Sequence, residues 1–484
     1  MRTIMMLPAW MLLICAFGQA QNNDQAERLL ENAVTFMNAG KYKEALADLD
    51  TIINSFADTP TASRALLQMG TYYLDVEQNY DKALGYFSQI QSRYAGSEEA
   101  PAAFFYKAQI VEDQGQTPAQ LEEAVADLIR MSNLYPNNAW RLEANFLFGK
   151  LNLRLNDYDL ALSHFQRLEF FFNRSKRVPL ALLLSAEAAF KRGDAGQAQL
   201  ILARLQRNFG TSEEAEQAGR LLRSLNRFTQ GRYPNLQLDT AFYGATPKQF
   251  ASPAAVLIDR DNLVGVVDNK GGHFGSLTPG ATVPNGTSSR DLRGFTRDRN
   301  GRLVLVYKDR IDPLDSTLSF GSLSNNGESL GDIRAAAVDH FGRLFVVDDD
   351  VRDMWAFSRD GQHIKSFGLN RPKLVRCYQN EIWVLNNDSD TFTAFNAELD
   401  RLPLSGFNNL SDIKDFDFDA FGHLYVLSSK GAVLSIWRRD GTALYSVNLK
   451  DGTYPLKTAE SVTVDLSGAV YLADRRGGAV YRFQ

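Results

Sequence analysis

Three cations and two carboxylates in the second half of this 484-residue chain have the types and spacing that could do chemistry. Arg293, Arg334 and Lys414 each stand five positions before an aspartate (Asp298, Asp339 and Asp419), in a column completed by Ala254, Pro372 and Glu460. Gathered at one mouth of a ring, such cations could bind an anionic glycan, a peptide carboxylate or an acidic partner; standing singly, they are solvated loop charges. Asp415 and Asp417 lie two residues apart and so share one face of a strand. Asp417 replaces the Leu257, Ala337 and Thr463 of equivalent positions. A carboxylate there needs a basic neighbour or a cation, and a paired structural role is the simpler expectation. A second polar column reads Asp268, Tyr307, Asp348, Asn386, Ser428 and Asp474. It could ring a metal, or it could satisfy turn backbones.

No catalytic constellation accompanies these residues. His164 lies in the first half, and His273, His340, His363 and His423 fall at different positions of the pattern, so no ring on a shared layer is expected. There is no H-x-H, no H-E-x-x-H and no G-x-S-x-G, and Cys377 has no evident histidine partner. The run Asp348 to Asp350 lacks the further ligands of a calcium loop. Neither a metal nor another cofactor is expected.

The elements that must hold these residues repeat. From Val256 onward an apolar strand, a turn residue and a second apolar strand recur six times. The turn residues Asn262, Gly301, Gly342, Asn380, Gly422 and Gly468 lie 39, 41, 38, 42 and 46 residues apart. One small sheet cannot bury both faces alone, so a strand repeat of this period predicts a propeller, here with six blades. The last copy ends at its third strand, Ala479 to Phe483, and the segment Leu236 to Phe242 alternates well enough to supply the fourth and close the ring. Trp355, Trp383 and Trp437 could stack on sugar faces, but they lie in strand-like runs that belong between blades.

From Asp24 to about Phe228 the period is helical. Five pairs mark successive helices: Ala45 and Leu49, Ala83 and Phe87, Ala124 and Leu128, Ala161 and Phe165, and Ala198 and Leu202. Residues four apart share a helix face, where the alanine permits close approach and the larger residue fills the groove. Thr59-Pro60, Ser97 and the pair Thr211 and Glu214 read as helix starts, and Gly40, Gly115 and Gly193 as turns. Repeat three carries an insertion near Gln116-Thr117-Pro118. The runs Phe104-Phe105-Tyr106 and Phe170-Phe171-Phe172 read as packing between helices. Three adjacent aromatics cannot all face one stripe, so one in each run should meet a neighbouring repeat, the propeller or a partner.

The chain therefore divides into a leader (1–20), a solenoid of about five helix pairs (21–231) and a six-bladed propeller (232–484), with a hinge at Arg232 to Asn235 marked by Gly231 and Pro234. Arg2, the apolar stretch Met5 to Phe17 and the small residues Gly18 and Ala20 predict a signal peptide. Ile14 precedes Cys15 where a lipid-attachment site wants a small residue, so no lipid anchor is expected. Cleavage after Ala20 would leave Cys377 alone, without an intramolecular disulfide. A net charge of −5 argues against general nucleic-acid binding, and no later segment reads as a membrane span.

The stretch MGTYYLDVEQNYDKALGYFSQI from Met69 resembles the tetratricopeptide repeat, in the longer variant of periplasmic envelope proteins. Tyr42, Tyr80 and Tyr158 precede their marker alanines by one turn; repeats three and five depart from the pattern. The copy IRAAAVDHFGRLFVVDDDVRDMWAFSRDGQHIKSFG from Ile333 resembles NHL repeats, whereas Cys377 and Asn380 make the fourth copy weaker. These resemblances imply a non-catalytic adaptor, exported to the periplasm or outer envelope of a bacterium, that binds envelope proteins through both domains. A carbohydrate- or peptidoglycan-binding protein is the alternative, and a metal-dependent enzyme similar to propeller gluconolactonases or peptidylglycine lyases is a further one. The oligomeric state is left open.

Overall fold

The computed structural model describes residues 9–115, 117–230, 236–239, 242, 250–260, 262–268, 271–276, 286–287, 291–313, 323–369, 371–386, 390–407 and 410–484. The expected hinge (231–235), Gln116 of the insertion, the first part of the leader and the side chain of His273 lie outside the described residues. The chain forms two compact units: Met1–Gly115 with Ala119–Leu151, and Gln116–Pro118 with Asn152–Gln484.

The helices are α1 (Ala9–Asn38), α2 (Tyr42–Ser55), α3 (Pro60–Asp75), α4 (Tyr80–Arg93), α5 (Ala100–Gln114), α6 (Pro118–Leu134), α7 (Arg141–Arg154), α8 (Tyr158–Phe171), α9 (Val178–Lys191), α10 (Ala195–Asn208) and α11 (Glu213–Thr229). Among the described residues no helix is long and apolar enough to cross a membrane. The five marker pairs are all buried, on α2, α4, α6, α8 and α10. Close approach is demanded at Gly70 of α3, where a Cβ would stand 2.4 Å from the Phe87 ring. Within the first unit Tyr73 stacks on Tyr86 inside one helix pair, and Phe87 on Tyr106 and Phe105 on Trp140, at 4.8 Å, tie successive pairs.

Short polar side chains start three of the second helices, α4, α8 and α10, whereas α2 begins after Lys41 without a side-chain cap. Asn79, Asp157 and Asp194 accept the N–H of Lys82, Leu160 and Gln197, satisfying one orphan donor of each first turn. Two expected starts are displaced. Ser212, not Thr211, caps α11 by accepting the Ala215 N–H at 3.2 Å, and α5 begins after Glu99 without a side-chain cap.

The second unit contains α8–α11 and the strands. Its sheets, each in simple sequential order, are β1 (Ala255–Ile258), β2 (Leu263–Asp268), β3 (Gly271–Ser276) and β4 (Gly286–Thr287); β5 (Leu292–Arg297), β6 (Leu303–Tyr307) and β7 (Ile311–Pro313); and, after a ribbon of β8 (Ser324–Asn325) and β9 (Glu328–Ser329), β10 (Ile333–Val338), β11 (Leu344–Asp348), β12 (Asp353–Phe357) and β13 (His363–Ser366). They continue with β14 (Pro372–Tyr378), β15 (Glu381–Asn386), β16 (Phe392–Phe395) and β17 (Arg401–Leu402), then β18 (Asp415–Phe418), β19 (Leu424–Ser428), β20 (Val433–Trp437) and β21 (Ala443–Asn448). The last comprises β22 (Ala459–Val464), β23 (Val470–Asp474) and β24 (Ala479–Phe483). The first strand of each sheet neighbours the first strand of the next, and β22 returns to β1. This is a β-propeller.

Leu238 pairs antiparallel with Phe483, and Gln237 and Gln484 exchange backbone hydrogen bonds of 3.3 and 3.0 Å. That rung supplies the fourth strand position of the last sheet and ties the start of the propeller segment to its end. Counted this way five blades are complete, not the six like blades that the sequence predicts. The sheet β5–β7 stops at three strands among the described residues. Trp355, Trp383 and Trp437 are all buried in the packing between sheets.

Candidate functional site

The inner strands bring the two predicted carboxylates against two arginines. Arg297, at the end of β5, donates from Nη1 and Nη2 to the two oxygens of Asp417, each at 2.9 Å, and from Nε to the Ile258 carbonyl at 2.8 Å. The Thr463 hydroxyl donates to Asp417 Oδ2 at 2.6 Å. Arg376 of β14 donates to Asp415 Oδ1 at 3.2 Å, while the Ser461 hydroxyl and the Phe416 and Val462 amides also donate to that carboxylate. Both aspartates are buried. Burial alone would raise both, and the outcomes differ. The bidentate Arg297 contact, with Arg376 and Thr463, outweighs burial and holds Asp417 below the usual carboxylate range. At Asp415 burial wins over Arg376 and Ser461, and the carboxyl is pushed up. Planar two-point pairing is what a guanidinium does best, which accounts for the difference.

The predicted basic column converges. Arg293, Arg334, Lys414, Glu460 and Ala254 line one cavity of about 140 Å³ at the strand-start mouth, with Arg376 and Asp415 beside them. Pro372 does not line it; Leu374 does. None of the three predicted cations is free. Arg293 pairs with Asp332 and Arg334 with Asp349, and Lys414 pairs with Glu460, each at 3.3 Å. Lys414 and Glu460 also border a wider polar hollow of about 620 Å³, reached by Lys373, Lys430 and Arg476.

The repeated aspartates serve turns. Asp298, Asp339, Asp419 and Asp465 each accept the amides two and four residues on, as in Asp419 with Phe421 and His423. Asp268, Asp348 and Asp474, at the ends of second strands, accept the paired amides that lead into inner strands, such as Lys457 and Thr458 on Asp474. No group of three or more His, Cys, Asp or Glu residues able to hold a metal occurs among the described residues.

The rim of marker turns meets the helices of its own unit. Phe228 of α11 stacks on His423 at 4.0 Å, Phe190 of α9 lies 4.5 Å from Phe421, and the Asn380 amide donates to the Arg154 carbonyl at 2.7 Å. Gly468 sits so close to α11 that a Cβ would come within 2.7 Å of the Ser224 hydroxyl. His423 donates from Nδ1 to the Asp419 carboxylate at 2.9 Å. His164 is half-buried in α8, and that burial, with Arg167, lowers its pKa to about 4. Cys377 is a free thiol, pushed up by burial.

Of the aromatic runs, Phe104 and Phe105 are buried among helices, as expected. Phe170 and Phe171 are not: they are 78% and 63% exposed and touch each other edge to face at 4.9 Å.

Arg297 and Arg376 are the partners of the two carboxylates, and sequence reasoning missed them. A signal was available, because Arg297 and Arg376 stand one residue before Asp298 and Cys377, at a position where other copies hold Ile258, Val338, Phe418 and Val464. Lys430 and Arg476 carried one too, since both stand two positions after the second polar column, at Ser428 and Asp474, where other copies hold Asp309 and Asp350.

A tetratricopeptide repeat family model matches residues 64–97, which cover most of α3 and all of α4. No curated protein is similar enough in sequence to match the chain. Solved structures similar to it include a gluconolactonase from Xanthomonas campestris, at 17% identity and TM-score 0.40, covering 52% of this chain and 94% of that one. Others are a streptogramin B lyase (11%, TM-score 0.37, 51% and 96%) and the WD40 propeller domain of Doa1 (13%, TM-score 0.37, 52% and 97%). Identities and scores this low carry no argument about the chemistry of this chain. What its own architecture defines is a helical-repeat protein, with a tetratricopeptide repeat, followed by a β-propeller.

Proposed function

We propose that this protein is a non-catalytic interaction scaffold of the bacterial envelope, exported by its N-terminal leader, that holds partner proteins on its helical repeats and its propeller. The observation that carries the reading is the tetratricopeptide match at 64–97 within a longer series of helix pairs, joined to a propeller. Stacked helical repeats offer an extended surface for a peptide or helix, and a propeller offers a rigid disk. The inner-strand carboxylates support the non-catalytic part, because Asp417 and Asp415 are engaged by Arg297 and Arg376. The exposed pair Phe170 and Phe171 supports a partner surface on α8, since large aromatics left in water are a common mark of one. We read the propeller as NHL-like with six blades, taking β5–β7 as the incomplete one.

The test is mild crosslinking of the full chain in its native envelope, followed by affinity capture and mass spectrometry. Reproducible envelope proteins, lost when Phe170 and Phe171 are both changed to serine, are the expected result. Capture of no protein, or a protein that keeps its leader and stays inside the cell by N-terminal sequencing and fractionation, overturns the corresponding part of the reading.

A further inference from the structure

The wide hollow at the strand-start mouth collects cations from three separate sheets. Lys373 comes from β14, Lys414 and Lys430 flank β18 and β19, and Arg475 and Arg476 follow β23. Against these five cations stand three carboxylates, Asp390, Asp412 and Glu460, so the hollow carries a net positive balance. The carboxylates are partly spent. Asp390 accepts the Asp412 and Ile413 amides at 2.6 and 3.1 Å, and Glu460 is shared by Lys414 and Arg475. Among the described residues neither Lys430 nor Arg476 has an ion pair. Lys373 donates to the Ile413 carbonyl, and burial holds its pKa down; Lys414 and Arg334 act in the same direction against Asp390. Lys430 is also held at φ 60°, ψ 33°, a left-handed conformation that costs free energy in a non-glycine residue and often marks a binding site.

We infer that this hollow binds an acidic peptide segment, with Lys430 and Arg476 receiving side-chain carboxylates of an extended chain. This rests on the scaffold reading and names the chemistry of one partner. Size and pattern both favour a peptide over a compact oxyanion. About 620 Å³ is room for several side chains, within the usual range of ligand sites. Alternate side chains of an extended chain fall about 7 Å apart on one face, which suits separated cations. The interspersed carboxylates Asp412 and Glu460 would repel a dense polyphosphate, whereas a peptide brings N–H donors for them. The lining is almost wholly polar, Ile413 being its one apolar member, so recognition is ionic and weakens as salt screens it.

The experiment is titration of the full chain with fluorescent hexaglutamate, using hexaglutamine and pyrophosphate as comparison probes, at low salt and at about 0.3 M salt. Hexaglutamate binding that falls with salt, and falls about tenfold or more in K430Q/R476Q at an unchanged melting temperature, is the expected result. Three results overturn the assignment: no hexaglutamate binding, binding that the double variant leaves intact, or pyrophosphate or hexaglutamine binding as tightly as hexaglutamate. If the double variant loses hexaglutamate yet still captures envelope proteins through its helices, both readings stand; if hexaglutamate fails while capture succeeds, only the mouth assignment falls.

Discussion

Arg297 and Asp417, 120 positions apart in sequence, meet through two parallel guanidinium–carboxylate hydrogen bonds of 2.9 Å. The contact crosses the ring, joining β5 to β18 from two sheets that are not neighbours. It also draws in a third inner strand through Thr463 and a fourth through the Ile258 carbonyl. Breaking it leaves a buried charge without its partner, so Arg297→Met is expected to cost about 3–5 kcal/mol. Adding Asp417→Leu should recover much of that loss. Chemical denaturation of the single and double variants checks both.

The two neighbouring carboxylates should respond to pH with opposite sign. Asp417 has a depressed folded value, so its contribution is present above the ordinary carboxylate value of 3.8 and lost as pH falls through the folded one. Asp415 has a raised folded value and binds its proton more tightly when folded. Its effect is a loss of stability as pH rises from 3.8 towards the folded value. Melting curves across the acid range should show Asp417→Asn flattening the acid loss and Asp415→Asn flattening the opposing slope.

Gly70 is required by packing, not by backbone conformation. Gly70→Ala would place its methyl 2.4 Å from the Phe87 ring, which is itself buried, so a cost of about 1–3 kcal/mol is expected. Phe87→Leu in the same chain should reduce the additional cost of the alanine. A double-mutant cycle measured by urea unfolding decides it.

Closure at Leu238 can be tested at the far end of the chain. The Asp239 amide donates to the Arg482 carbonyl at 2.9 Å, and its carboxylate accepts from Arg482 at 2.7 Å. Asp239→Pro removes the amide and the carboxylate together. Hydrogen exchange of the β24 amides should then accelerate, and the propeller should melt at lower temperature. Unchanged exchange in that strand would show that the rung does not hold the ring.

Gly468→Ala should loosen the contact between the last marker turn and α11. The glycine has φ 77°, and an added Cβ would meet the Ser224 hydroxyl at 2.7 Å. A loss of about 1–3 kcal/mol is expected from strain and overpacking combined. Ser224→Ala should return the packing part and leave the backbone part.

Periodicity alone determined the order of this protein, helical pairs and then a propeller, because a repeat in sequence is a repeat of buried face. Ala45 with Leu49 and Ala198 with Leu202 announce helix faces four residues at a time, and Asp339 with Gly342 announces a turn. These signals are local, and the structure reads them back residue for residue. The column Arg293, Arg334 and Lys414 was legible as well, since equal positions in successive blades must reach the same mouth. What Arg293 and Arg334 do there was not legible, because Asp332 and Asp349 are partners set by the loops beside the strands, whereas Glu460, the partner of Lys414, stands in the same column one blade on. Only the tertiary structure decided that Asp417 meets Arg297 across the ring and that Phe228 lies on His423. Each depends on a distance across the closed ring or between helix and turn, and no spacing along the chain encodes such a distance.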